Sequence, residues 1–456
     1  MKSRHTMDLT SGSVTKKLLS FVYPLLIANL LQQLYQSADN AVVGRYVGAD
    51  ALAAVGATGS ATALVLNMII GLAVGANIVN ANLLGANNQS GLRKSMHTAM
   101  LVAFVGGLLV SATGILVSKP MLRLMRCDPD VLDDATLYMR IIFCGTPGTM
   151  IYNFGAGILR THGDSRRPMV MMMVSGLVNV LLNLVFVLVF HMSVDGVALA
   201  TIISKYISAV WVLCVLFDPK GDFKLSFQEL KFRSRECWNI VKVGVPCGIN
   251  GMVFGISNVI VQAAINDFGK IEMSGSAASG NIVNILYQIL IAFYSACVSF
   301  SGQCYGAGKI KRIDKVLYIS SGICIAAIGL LSLLLTLFPS TFLSIFVKDP
   351  DVIRAGTVKM VIMAWSYILY AVSEVFLGCL RGMRCTTFTT VINVISICGI
   401  RLLWIWVICP LQPDNTVLLY LCYPVSYVFS LSSLGYYYFR MRRKAMSKQE
   451  DLKLAT

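Results

Sequence analysis

Between Asn29 and Asp39 an otherwise apolar stretch carries Asn29, Gln32, Gln36 and Asp39 at steps of three and four residues. In a helix these share one face, with Tyr35 beside them, while Leu30, Leu31 and Leu34 fall on other faces. Each amide left unpaired in lipid would cost roughly 1–3 kcal/mol, so the stripe must face protein or water. A carboxylate in such a place is a candidate for function, because it can exchange a proton, a metal cation or a cationic substrate at one site. Exposure at the membrane interface is the competing reading for Asp39, which lies near the outer end of its apolar run. The glutamines behind it argue instead for a cavity that opens outward.

The pattern recurs along the chain. Ser175, Asn179 and Asn183 follow one another at four-residue steps, and Thr201, Ser204, Lys205 and Ser208 cluster in the next run. In the second half Asn281, Asn284 and Gln288 share a face of one run, Ser366, Tyr370, Ser373 and Glu374 fall in one region of another, and Asn393 and Arg401 occur in the run after that. A lone Ser, Thr or Asn in a spanning helix usually just bonds a neighbouring helix. Ionisable groups at depth are different, and four qualify: Asp39, Lys205, Glu374 and Arg401. Their structural alternative is ion pairing, Asp39 with Lys205 and Glu374 with Arg401. Arg140, Arg354 and Lys359 lie nearer the ends of their runs, where snorkelling to the interface is expected.

The elements that must position these residues are helices in a bilayer. Of 456 residues 56% are hydrophobic and 13% charged, with a mean hydropathy of +0.71, far from the soluble globular range. Runs long enough to span as helices number about twelve: 17–44, 51–82, 95–118, 131–158, 168–191, 196–217, 238–266, 273–302, 313–338, 352–379, 386–409 and 416–439. The polar start "MKSRHTMDLTSGSVTKK" leads into a run too long for a signal peptide and without a small-residue cleavage site, so the first helix is expected to be retained.

The net charge of +16 follows topology and does not point to nucleic acid. Lys16, Lys17, Arg93, Lys94, Arg166, Arg167, the stretch Lys220 to Arg235, Lys309 to Arg312, Arg381, Arg384 and the tail "RMRRKAMSK" all fall on one side of a twelve-span chain. By the positive-inside rule both termini are expected to be cytoplasmic, in a multi-pass protein of the cell membrane. The 13 cysteines form no CxxC and no Cys/His cluster, so neither a metal site nor a disulfide framework is expected. Four scattered His give no hydrolase triad, and "GLAVGANIVNANLLG" lacks the Gly-Lys-Ser/Thr ending of a nucleotide loop. Its Gly71 and Gly75 read as close helix packing. The chain is therefore expected not to be an enzyme and to need no cofactor.

The sequence also repeats itself. "CDPDVLDDATLYMRIIFCGTPGTMIYNFGAGILR" from Cys127 returns as "KDPDVIRAGTVKMVIMAWSYILYAVSEVFLGCLR" from Lys348. The same separation relates Asp128 to Asp349, Arg160 to Arg381 and Gly85 to Gly306, while Pro24 has a near counterpart in Pro246. The reading is an all-α polytopic membrane protein of about twelve helices in two pseudo-symmetric six-helix lobes. Residues 1–217 form the N-terminal lobe, 218–237 a cytoplasmic linker that is partly an amphipathic helix, 238–440 the C-terminal lobe and 441–456 a basic tail. An even helix number per copy sets both copies in the same orientation, with a central cleft between them.

On Pro24 with "LYQSADNAVVGRYVG", "GILRTHGDSRRP", "SGLVNVLLNLVFVLVFHMSVDGVALATIIS" and the second-half "GCLRGM", the chain resembles the multidrug and toxic compound extrusion (MATE) transporters, specifically prokaryotic members. The resemblance covers nearly the whole chain. It implies a secondary-active antiporter that exports organic cations and drugs by alternating access in exchange for H+ or Na+; the lipid bilayer is its other expected partner, and a monomer is expected. Asp39 would be the cation-coupling carboxylate. Tyr35, Gln36, Asn153, Asn179, Asn183, Thr201 and Lys205 would form the polar site around it, and Tyr370, Glu374, Arg401, Asn281, Asn284 and Gln288 are the candidates in the second lobe. Many members have a carboxylate where this chain has Asn183, and the second-lobe acids of the sodium-coupled branch are missing, with Tyr370 in the place of one. That departure favours protons. The competing function is a flippase or exporter of a lipid-linked or polysaccharide precursor, which would call for a strongly cationic cavity.

Overall fold

The computed structural model describes residues 6–125, 127–219, 223 and 225–454. Among the described residues every regular element is helical. That is the outcome expected where no water is present to bond peptide groups and each spanning segment must satisfy its own. The first copy comprises α1 (Val14–Val42), extended by a π-helical turn (Val43–Val47), then α2 (Ala49–Gly85), α3 (Gln89–Leu124), α4 (Leu132–Cys144), α5 (Thr146–Thr161), α6 (Arg166–Leu184), with a further π turn (Val185–Val189), and α7 (Val194–Leu216). The second comprises α8 (Ser234–Asn266), α9 (Lys270–Gly306), α10 (Ile310–Leu337), the short α11 (Pro339–Leu343), α12 (Pro350–Gly382), α13 (Thr386–Asn393), α14 (Ile400–Leu403), α15 (Thr416–Tyr420) and α16 (Cys422–Leu454).

The repeat reaches the backbone. Left-handed φ values occur at Gly48 (129°), Asn87 (54°) and Gly163 (80°), and again at the equivalent Gly269 (91°), Gly308 (68°) and Arg384 (65°). Each closes a helix whose successor starts within a few residues, a turn for which glycine has the least steric cost.

The fourth expected span differs between the copies. Eleven helices among the described residues are long and apolar enough to cross a bilayer. The remaining expected span, 131–158, is the consecutive pair α4 and α5, interrupted at Gly145. Its counterpart α12 is continuous. The first copy has Gly145-Thr146-Pro147-Gly148 where the second has Ser366-Tyr367-Ile368-Leu369. Proline supplies no N–H to the preceding turn and crowds its carbonyl, so a new helix starts there.

Two compact units result: Met1–Asp8 with Tyr23–Gly248, and Leu9–Val22 with Ile249–Thr456, apart from the residues not described. The expected lobe boundary at 218–237 thus differs from the packing, because α1 and α8 each contribute to both units. In the first unit a Cβ on Gly71 would lie 2.1 Å from the Gly248 nitrogen, and one on Gly75 2.4 Å from the Gly244 Cα. The backbones of α2 and α8 touch, as the small-residue spacing predicts. Polarity is inverted relative to a soluble protein. On α3 Leu116 is 75% exposed while Ser111 is 9% exposed, and Asn77 and Asn80 are buried.

The expected amphipathic linker helix does not form among the described residues. Only a 3-10 turn, Phe227–Glu229, precedes α8, and Lys220, Gly221, Asp222 and Lys224 lie outside the described residues. The reason is that Phe223 and Leu225 are buried as anchors, Leu225 donates its N–H to the Leu216 carbonyl, and Arg93 pairs with Glu229 at 2.8 Å. Over residues 441–454 the expected tail is the continuation of α16.

Candidate functional site

Inside the first unit a cavity of about 500 Å3 is lined by the polar stripe of α1, namely Gln32, Tyr35, Gln36 and Asp39. Thr58 and Thr62 come from α2, Tyr138 from α4, Asn153 from α5, Ser175 and Asn179 from α6, and Thr201, Ser204 and Lys205 from α7. Asn183, fully buried, closes the set by donating its Nδ2 hydrogen to Asp39 Oδ1 at 2.5 Å. The sequence-predicted residues of this lobe, Tyr35, Gln36, Asp39, Asn153, Asn179, Asn183, Thr201 and Lys205, are therefore brought together.

Each of them is set by its helix. Asn153 donates to the Thr149 carbonyl one turn back at 2.8 Å. Thr201 does the same toward Val197 at 2.9 Å, and its oxygen accepts from Asn179 Nδ2 at 3.4 Å. Tyr35 donates to the Met173 carbonyl at 3.1 Å. The expected alternative of an ion pair does not hold: Lys205 shares the cavity with Asp39, yet no basic nitrogen lies within 4 Å of that carboxylate among the described ion pairs. One neutral amide is its hydrogen-bond partner, so the carboxylate remains open to the cavity.

Sequence reasoning missed Tyr138, Thr58 and Thr62, although the four-residue step from Thr58 to Thr62 was a signal for the last two. It also missed Gly176. A Cβ there would sit 1.8 Å from Tyr35 Cε2, so only glycine lets the ring lie flat against α6 and hold its place one turn from Asp39.

In the second unit the candidates separate. Asn284 lines a cavity of about 300 Å3 together with Asn258, Gln262, Tyr287, Lys359, Tyr367, Tyr423 and Tyr427. Tyr370 stacks on Tyr427 at 4.5 Å. Glu374 is buried, Gln288 is half-buried outside the cavity lining, and Asn281 is exposed, turned away because Asn284 takes the inward face. Arg401, 1% exposed, does not pair with Glu374. Its Nη1 donates to Asn258 Oδ1 at 3.1 Å and its Nε to Ser426 Oγ at 3.2 Å. Nor does Lys359 snorkel: it lies well inside α12, is buried, and donates to Ser276 Oγ at 2.5 Å, because its side of α12 packs on α9. Among the described residues no group of three or more His, Cys, Asp or Glu is placed to hold a metal ion.

A membrane-spanning chain made of two copies of one helical unit, with polar cavities inside those units, has the architecture of a secondary transporter. The chain belongs to the MatE family, whose model matches residues 24–185 and, a second time, residues 246–407. Curated relatives include the probable multidrug resistance protein YoeA of Bacillus subtilis, 25% identical over 97% of both chains. They also include an FAD transporter of Shewanella oneidensis, 23% identical over 86% of this chain and 87% of that one. A solved multidrug resistance MATE family transporter in an outward-facing conformation superposes with a TM-score of 0.89 at 17% identity, covering 98% of this chain and all of that one. Similarity of this kind to a solved structure establishes the two-lobe fold.

Proposed function

We propose that the protein is a proton-coupled exporter of cationic or amphipathic organic compounds, working by alternating access, with Asp39 as the coupling carboxylate. The observation that carries this reading is the contact between Asp39 and Asn183 in the polar cavity. A carboxylate held by one neutral amide, with no cation within 4 Å, can take up a proton or a cationic group without first breaking an ion pair. Asn183 suits both protonation states. Its N–H donates to the carboxylate, and its Oδ1, which has no partner, can accept from the carboxylic acid after the amide turns over.

A proton is favoured over Na+ because a hard cation prefers several oxygen ligands. Here Asp39 is the one carboxylate in the lining, and Asn183 turns an N–H toward it. Proton and substrate would favour opposite arrangements of the protein, so a gradient of one drives the other; the coupling equals the difference in affinity between the two states. The relative from Bacillus subtilis supports drugs as cargo. The distribution of Lys and Arg supports cytoplasmic termini in the cell membrane, and the complete cavity within one chain supports a monomer as the working unit.

The test is dye efflux from proteoliposomes under an imposed proton gradient and, separately, an imposed sodium gradient. Efflux is expected with the proton gradient only, and Asp39→Asn is expected to abolish it while the protein still inserts and folds. Full efflux by Asp39→Asn sinks the coupling role, and efflux driven by sodium alone sinks the choice of ion.

A further inference from the structure

We infer that the cavity of the second unit is an anion site, built for a carboxylate, sulfonate or phosphate group attached to a planar aromatic ring. Its charge is the first argument. Lys359 lines the cavity, and Arg401 stands directly behind three lining residues: its guanidinium carbon lies 4.6 Å from the ring centre of Tyr423 and 5.4 Å from that of Tyr427, and its Nη1 bonds Asn258. An arginine stays charged in any protein environment. Neither cation has a carboxylate within 4 Å among the described ion pairs. Of the carboxylates on the neighbouring helices, Glu272 accepts from Tyr420 at 3.2 Å, and Glu374 is buried outside the lining. Where the first unit has Asp39, the second has Val261. Buried cations without a counter-charge are costly in a membrane, and an anionic ligand would offset that cost through charge-assisted hydrogen bonds.

The second argument is the wall. Phe254, Tyr287, Tyr367, Tyr423 and Tyr427 line the cavity, so its wall is largely aromatic. Such faces receive a flat ring by stacking. At about 300 Å3 the space is at the lower end of small-molecule pockets. The ligand class is therefore a small aromatic anion or the aromatic acidic end of a larger molecule. This site stands apart from the coupling role of Asp39 and from the cationic cargo proposed above.

The experiment titrates three probes with one ring and different charge, naphthalene-1-sulfonate, naphthalene-1-methylammonium and naphthalene, into the full-length protein in nanodiscs of zwitterionic lipid, without ion gradients. The sulfonate is expected to bind at least about tenfold more tightly than either other probe. Lys359→Gln, which keeps a donor for Ser276 but loses the charge, and Arg401→Gln are each expected to weaken the sulfonate at least about tenfold and to leave naphthalene unchanged. Arg401→Lys is expected to restore part of the affinity, which separates charge from fold if Arg401→Gln is unstable. Equal binding of the three probes, or sulfonate binding unmoved by Lys359→Gln, overturns the proposal. Repeating the titration with phosphatidylglycerol in the disc tests the need for the ring: the sulfonate is expected to be retained, and its displacement by a phosphate without an aromatic ring overturns the aromatic half of the proposal. Because binding is read at equilibrium, failure here leaves proton coupling at Asp39 standing, and active transport by Asp39→Asn leaves this site standing.

Discussion

Replacing Gly176 by alanine should displace Tyr35 and, with it, the floor of the Asp39 cavity. The new Cβ would lie 1.8, 2.0 and 2.5 Å from three atoms of the Tyr35 ring, whereas carbon atoms in contact settle at about 3.5–4.0 Å. The ring must therefore retreat by roughly 1.5–2 Å, and because the clash is with its body, not a flexible end, no small rotation avoids it. The retreat breaks the Tyr35 hydrogen bond to the Met173 carbonyl, worth about 1 kcal/mol. Overpacking adds about 1–3 kcal/mol. A loss of roughly 2–4 kcal/mol of stability is thus expected. The measurement is thermal unfolding in detergent, paired with dye efflux, of Gly176→Ala, Tyr35→Ala and the double variant. If the ring is the obstacle, the double variant is less damaged than the two single losses added together, a coupling of at least about 1 kcal/mol. Additive losses, or a Gly176→Ala protein that melts and transports like the native one, would refute the reasoning.

Three further outcomes follow from the same geometry. Asn183→Ala removes the hydrogen bond to Asp39; a bond to a charged group is worth about 1.5–3 kcal/mol, so initial efflux rates in proteoliposomes should fall about tenfold or more. Gly71→Ala should destabilise by several kcal/mol, on the order of other overpacked sites, since its Cβ meets the backbone of Gly248 and the helices must part; unfolding midpoints in detergent read this directly. Lys119→Gln breaks the pair with Asp133 at 2.8 Å, but Asp133 is largely solvated, so the unfolding midpoint in detergent should not shift measurably, with efflux unchanged.

Much of this molecule is legible in one dimension. The length of each apolar run, the dearth of charge and the alternation of Lys and Arg set the helices in a membrane, since only a helix of that length satisfies its backbone there. Internal similarity disclosed the repeat, down to turns such as Gly48 and Gly269 that adopt the same left-handed backbone. Helical spacing was enough to put Gln32, Tyr35, Gln36 and Asp39 on one face. The broken α4–α5 span was present in the letters as Thr146-Pro147-Gly148, but a reading of apolar run length passes over it.

What periodicity does not say is which helix meets a given face. The rotation of each helix depends on contacts between residues far apart in sequence, and in lipid those contacts are decided by packing of small residues and a few hydrogen bonds, with no general hydrophobic preference to orient them. The tertiary structure alone therefore decided that Asp39 meets the amide of Asn183 and not the ammonium of Lys205, and that Gly176 exists for the Tyr35 ring. It also decided that Tyr138, Thr58 and Thr62 complete the cavity. The same holds in the second unit, where Arg401 turned from Glu374 toward Asn258 and the tyrosines, and Lys359 turned inward to Ser276. Sequence determined which residues are too polar for lipid, and packing determined what each of them faces.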